Sequence, residues 1–417
     1  MSVKFTKIVV PSLIGLSFLS GCGDNSTNTF TKNTTSVVSS QGFSSQKNLY
    51  TSLGLGNGQW LIGGEDGISI TSDSSNQKMQ KTTSTFQIPV FQSSAQVIQN
   101  KNKLIQKSDV NETVNLEKSQ IYTMESLNDG ILVGGSFASV NGISRNNLVK
   151  IKFDGSIDME FNNNIVGTVN KIIKEQDRLY MGGVIGAYNG KEAYGIVQTD
   201  FDGKINEEFL PFQDYVFVKI NDMLKLDNNN LMLAGTFIKD ATEGDENQTQ
   251  EELINLTKTI VVLDKQGQIN EDLTAKYSDV RGEVFSLALD ENQIYIAGDF
   301  SLNKDGKEYN NLVRYNYNGD FDENFQIAKL HGMVFDVVTQ NDKIVFGGDF
   351  LIDNNTTTRS FYIVDKSGNT VTIDNLEVNA DIYNIDTYNG NIIITGDGEF
   401  QVENQQFENS LVLKLDI

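Results

Sequence analysis

An all-β chain assembled from repeated antiparallel units is the architecture this sequence predicts, and three observations predict it. Short apolar runs alternate with polar residues at period two, as at residues 169–173, 179–181, 196–201 and 205–209, which is the signature of half-buried strands. A small-residue doublet ends one such run and comes back through the chain, its second member falling at Gly64, Gly135, Gly183, Gly235, Gly298, Gly348 and Gly396. A turn glycine then follows at a constant offset, Gly155 after Gly135, Gly203 after Gly183 and Gly368 after Gly348, and one residue later at Gly319 after Gly298. With 36 glycines and only 3 prolines in 417 residues, the turns are built on Gly, Asn and Asp.

Four short strands per copy, at a repeat of about fifty residues, point to a β-propeller over residues 48–417, with seven four-stranded blades and with six or eight as the alternatives. The doublet sits late in the second strand, where a residue without Cβ permits a bulge or a close approach of the next blade. The Phe two positions on is placed to pack between blades. The first copy, residues 59–71, is degenerate, and residues 97–109 match the strand pattern of 337–349 without its glycines, so an extra partial blade is one reading. In the fourth copy the landmarks are pushed apart by an acidic insert at residues 239–255. The chain stops at the third-strand position of its last copy, residues 411–415, and residues 35–43 are the available donor of a closing fourth strand.

The second copy carries Gly135-Ser136-Phe137, Asn141-Gly142, Arg145-Asn146-Asn147-Leu148, Asp154-Gly155-Ser156-Ile157-Asp158 and Phe161. It resembles the delta-60 repeat, a bacterial β-propeller repeat, and Gly298-Asp299-Phe300, Asn310-Asn311-Leu312 and Asn318-Gly319 match in part. The similarity runs over residues 120–417. It implies a fold and hardly any chemistry.

The amino terminus carries an address. Lys4 and Lys7 precede an apolar run at residues 8–19 that is too short to span a bilayer and reads as an export signal, residues 1–21. Leu19-Ser20-Gly21-Cys22 resembles a bacterial lipobox, which implies cleavage before Cys22 and acylation of that residue, including a palmitate-type chain. Several chains on one residue anchor stably, since each buried methylene contributes about 0.8 kcal/mol. Residues 22–47, rich in Ser, Thr and Asn, then read as a tether that can supply the closing strand. The expected location is the cell envelope, with the outer membrane favoured because Gly23 follows Cys22. The net charge of −22 repels nucleic acid and anionic headgroups.

Candidate site residues are few. Asp200-x-Asp202-Gly203 resembles part of a calcium loop, but Phe209 stands where the closing carboxylate belongs, so it reads as a hairpin turn and no metal is expected. The acidic insert, with Asp240, Glu243, Asp245, Glu246, Glu251 and Glu252, is a candidate partner-binding loop. His331, placed in an inter-blade loop, is the one histidine and Cys22 the one cysteine, which leaves His-dependent nucleophilic catalysis and His/Cys zinc sites without carriers. The expectation is a monomeric binding or adhesion module that takes a protein or glycan partner on its long-loop face and uses neither catalysis nor cofactor. A structural subunit of an envelope complex and a carboxylate-dependent glycan hydrolase are the alternatives.

Overall fold

The computed structural model describes residues 33–35, 37–41, 48–54, 59–65, 67–72, 89–93, 119–226, 229–240, 256–352, 360–388, 390–402 and 405–415. Residues 1–31 form one unit, wholly outside the described residues, and 32–417 form a second. Cys22, the export signal and residues 97–109 therefore lie outside the described residues, as do Glu243, Asp245, Glu246, Glu251 and Glu252. Among the described residues no helix is long and apolar enough to cross a membrane.

Among the described residues, one sheet follows each of the seven doublets, with an inner, a middle and an outer strand in antiparallel order. The inner strands are Leu49–Gly54, Gln120–Leu127, Ile165–Glu175, Tyr215–Lys225, Arg281–Asp290, Leu330–Gln340 and Leu376–Tyr388. They touch one another in chain order, and the seventh touches the first, so the inner strands close a ring. The core lies between sheets. Leu132 and Leu148 pack on Ile172 and Met181 across sheets two and three, and Met232 and Val262 on Val284 and Ile296 across four and five. Burial of each apolar face against the next sheet is what a ring of radial sheets offers in place of one central core. Phe137, Phe237, Phe300 and Phe350, two residues past their doublets, are buried in these layers.

The doublet has two separate jobs. Its first member faces the next blade: a Cβ on Gly134 would lie 2.6 Å from Val169 Cγ1, and one on Gly347 would lie 2.4 Å from Ile382 Cγ2. Its second member faces its own inner strand, where a Cβ on Gly135 would come 2.0 Å from the Gln120 carbonyl oxygen. That carbonyl is close because the inner strand of every sheet has a register shift there, as between Ile121 and Thr123.

The fourth strand differs from expectation. In five copies it is reduced to one bridge, Ile151 with Ile157, Thr199 with Ile205, Leu263 with Ile269, Tyr315 with Phe321 and Val364 with Thr370. The turn preceding it is tight: Asp200 Oδ1 accepts from the backbone N–H of Asp202 at 3.0 Å and of Lys204 at 2.8 Å, with Gly203 at φ +82°. Asp264, Asn316 and Asp365 repeat the arrangement, so these side chains hold the turn. The long connections also differ, since residues 301–311 continue as paired strands, Gln293–Lys304 with Lys307–Asn316, and 138–147 hold a short hairpin. His331 lies in the inner strand Leu330–Gln340, opposite Leu351, and not in an inter-blade loop.

Val37–Gln41 pairs antiparallel with Gln405–Leu415, Val37 opposite Leu415, and gives the seventh sheet a fourth strand. A chain beginning at Asn48 lacks this strand. Its melting temperature is expected to fall by roughly 5–10 °C, on the scale of a few kcal/mol for a large domain, and identical thermal unfolding of the two chains would rule out a stabilising latch.

Candidate binding site at the mouth of the ring

The inner strands share a three-residue pattern of aliphatic, aromatic or Asn, then polar: Leu49-Tyr50-Thr51, Ile121-Tyr122-Thr123, Val169-Asn170-Lys171, Ile220-Asn221-Asp222, Val284-Phe285-Ser286, Val334-Phe335-Asp336 and Ile382-Tyr383-Asn384. In each, the register shift skips the middle residue. A bulge re-aims the side chain it leaves out of the ladder. Here the skipped side chains of neighbouring sheets meet. Phe285 and Phe335 have ring centroids 5.6 Å apart, Phe335 and Tyr383 5.8 Å, Tyr383 and Tyr50 5.6 Å, and Tyr50 and Tyr122 5.5 Å. Five sheets thus contribute a continuous aromatic arc, and all five rings keep part of their surface open. Asn170 and Asn221 complete the circuit, donating from Nδ2 to the Ile220 and Val284 carbonyls of the following sheets, both at 2.8 Å.

The polar third residues tie the sheets together. A bulge leaves a backbone donor without its ladder partner, and the preceding sheet supplies the acceptor. Thr123 Oγ1 accepts from Ile172 N–H at 3.1 Å, Asp222 Oδ2 from Leu287 N–H at 2.8 Å, Ser286 Oγ from Val337 N–H at 3.2 Å, and Asp336 Oδ2 from Ile385 N–H at 2.6 Å. Lys171 cannot accept, and instead places Nζ 2.7 Å from Asp222 Oδ1. Burial depresses the Lys171 ammonium pKa, but Asp222, with Asp336 and Asp386 further off, outweighs it and holds the value above normal. Burial pushes the Asp336 carboxyl up to about 6, against the Ile385 N–H, the Ser286 hydroxyl and Lys171, which pull it down. Both Asp336 oxygens are engaged, Oδ1 by Ser286 Oγ at 2.7 Å and Oδ2 by Ile385 N–H and Asn384 Nδ2. These carboxylates act as clamps between blades.

Acids flank the arc on the side where middle strands run out to the long connections. Glu65, Asp299, Asp349 and Asp397 each follow a doublet directly, and Asp381 stands opposite Asp397 across the strand pair. Burial raises the Tyr383 pKa, and Asp381, Asp397, Asp349 and Glu65 raise it further. Tyr122 is raised by burial and then by Glu65, and Tyr50 by burial, Glu65 and the two neighbouring tyrosines. Sheets three and four carry Val184 and Thr236 in place of the acid, and these are the sheets with Asn in place of the aromatic. The aromatic rings thus gather over sheets five to two and the acids over sheets five, six, seven and one, while sheet two carries Ser136 at the acid's position.

Among the sequence-predicted site residues, Asp240 is exposed at the end of Leu231–Lys239, with its N–H donating to the Asp214 carbonyl at 2.8 Å. The rest of that insert lies outside the described residues. Trp60 is buried and meets Tyr388 edge-on at 5.2 Å in the layer between sheets seven and one, where it offers no platform to a sugar. No group of three or more His, Cys, Asp or Glu side chains fit to hold a metal occurs among the described residues. The arc itself escaped sequence reading, although its three-residue pattern stands at nearly the same distance upstream of every doublet.

A family model described as a domain of unknown function (DUF5122) beta-propeller matches residues 127–161 and 292–325. No curated protein matches the chain. Among solved structures, the WD40 β-propeller domain of Doa1 is 12% identical with a TM-score of 0.48, covering 91% of this chain and 96% of that one. The Neurospora crassa Pan2 WD40 domain is 10% identical with a TM-score of 0.42, covering 88% of each. The AfRom2 CNH domain is 11% identical with a TM-score of 0.42, covering 91% of this chain and 99% of its own. At that distance the fold rests on the closed circuit of inner strands and on the family match within two of its copies, and on those grounds the chain is an all-β propeller repeat protein.

Proposed function

We propose that this protein is an exported lipoprotein, held to the cell envelope through Cys22, whose seven-bladed propeller binds a partner at the long-connection mouth of the ring. One observation carries the binding reading. In sheets two, five and six, three of the five that carry the arc, the polar third residue already satisfies the donor freed in the next sheet, so interblade hydrogen bonding gives no reason for the skipped position there to be aromatic. Partly open aromatic side chains gathered at one mouth are what a recognition surface needs. Anchoring by Cys22 is supported by the basic and apolar segments ahead of it.

Two experiments address the two halves of the reading. Replacing Cys22 with Ser is expected to move most of the protein from the membrane to the soluble fraction of cells, and undiminished membrane retention removes the lipid anchor from the proposal. Photo-crosslinking from exposed Asp299 and Asp397, in intact cells, is expected to capture a partner at the mouth. Absence of any adduct there, with adducts from an exposed turn at the other end of a sheet such as Asp154, would move the binding surface elsewhere.

A further inference from the structure

We infer that sheet five carries a further binding site, a cleft at its outer edge that receives an extended strand of a partner protein with apolar residues at alternate positions. The site is independent of the mouth of the ring. It lies between the outer strand Lys307–Asn316 and residues 325–330, which lead into the next inner strand. Its volume is about 200 Å³. Small-molecule sites run from about 300 Å³ upward, so this cleft suits a side chain delivered on a polypeptide. Leu312 and Phe325, each 3% exposed, line it together with partly open Tyr309, Ile327 and Ala328. The backbone calls for a strand. Asp322 N–H donates to the Arg314 carbonyl and Asn316 N–H to the Asp320 carbonyl, both at 2.9 Å, around the bridge of Tyr315 with Phe321. Beyond that bridge no backbone hydrogen bond among the described residues joins Lys307–Asn316 to 325–330. Alternation along the strand points the Leu312 N–H and C=O the same way as those of Arg314, toward the cleft. Asn310 Oδ1 in the lining is buried and accepts no hydrogen bond, a cost that a donor on an added chain removes. The neighbouring copies close this edge. In sheet four the helix Glu271–Ala275 covers it, with Thr274 Oγ1 accepting from Val262 N–H at 3.0 Å. In the sixth copy Asn33–Thr35 pairs parallel with Val371–Ile373, and in the seventh Val37–Gln41 adds to Gln405–Leu415. Strand addition at an outer edge is therefore a mode this molecule already uses, there with a segment of its own.

The test uses the full chain and a labelled peptide, Ser-Val-Thr-Leu-Thr-Val-Ser, followed by fluorescence anisotropy and by hydrogen exchange of the protein. The peptide is expected to bind and to slow exchange over residues 307–312. Two further versions are N-methylated on alternate sets of residues, so that every side chain is kept but only one version loses the N–H groups facing the edge. That version should bind roughly 10-fold more weakly than the other. Ala328→Phe fills the cleft and should weaken the parent peptide roughly 10-fold, while Asp177→Asn, at an exposed turn of sheet three, should leave binding unchanged. Thermal melts check that both variants fold, and the N-methylated pair tests the same point on the unaltered protein. Failure of the parent peptide to bind would overturn the inference. Equal affinity of the two N-methylated versions, or slowed exchange only outside residues 307–316, would mean apolar adhesion without strand pairing and would overturn it as well.

Discussion

Gly348→Ala is expected to destabilise the ring by about 3 kcal/mol or more, a large share of the stability of a typical domain. The new Cβ would lie 2.0 Å from the Met333 carbonyl oxygen and 2.9 Å from the Phe335 nitrogen. Both neighbours are backbone, held in the ladder between Leu330–Gln340 and Lys343–Ile352, so neither can turn aside as a side chain would. Relief requires undoing the bulge between Val334 and Asp336, which would also withdraw Phe335 from the aromatic arc and displace the Asp336 clamp. Gly142→Ala is the comparison. Gly142 has φ +76° but nothing within 4 Å of the Cβ position, so only the backbone preference is lost, at about 1 kcal/mol. Urea denaturation of the two variants checks the claim, and equal midpoints would show that the doublet is not there for the bulge.

Asp222→Ala should be nearly as damaging, by about 2–4 kcal/mol. The carboxylate of this residue, which is only 4% exposed, takes the Leu287 N–H of the next sheet at 2.8 Å and the Lys171 ammonium of the preceding sheet at 2.7 Å. One substitution therefore opens two interfaces. Most of the loss belongs to the backbone donor, because a buried N–H without an acceptor forfeits its full desolvation cost. Lys171 keeps 39% of its side-chain surface open and still faces Asp336 and Asp386, so its share is smaller. Asp222→Asn, which retains an acceptor, should lose about half as much. A double-mutant cycle with Lys171→Met separates the two parts. A coupling as large as the whole effect of Asp222→Ala would mean that the ion pair, and not the N–H, is what the site depends on.

The repeat was legible because its landmarks answer to backbone geometry. Gly135 and Gly348 have no substitute where a carbonyl comes within 2.0 Å, and Gly155 or Gly203 none so well suited to a positive φ in a tight turn, so these positions recur and can be counted. The arc was not legible for the opposite reason. Tyr50, Asn170 and Phe335 share a position but not a chemistry, and a strict period-two reading assigns them to a blade face instead of to the ring. Only the register shift, which strand pattern does not disclose, brings them together. The fourth strand was overread because residues such as 205–209 alternate like a strand, although the chain leaves the sheet after one bridge at Ile205. His331 was misplaced by the same kind of slip, since it begins a strand that reads as loop until its pairing with Leu351 is known.

The pairing of Val37–Gln41 with Gln405–Leu415 also sets an order of events in folding. Each of the first six sheets is assembled from strands of its own copy, by contacts that are short in sequence and quick to form. The seventh pairs a segment that precedes the first sheet with one that follows the sixth, so its fourth strand can dock only after residues 405–415 have been synthesised. Until then the partial ring exposes the apolar outer face of the first sheet and that of whichever sheet is newest, and apolar surface of that kind recruits other chains. Circular closure thus makes the C-terminal strand a checkpoint, and chains cut short before residue 405 should accumulate as aggregates or as substrates of proteases.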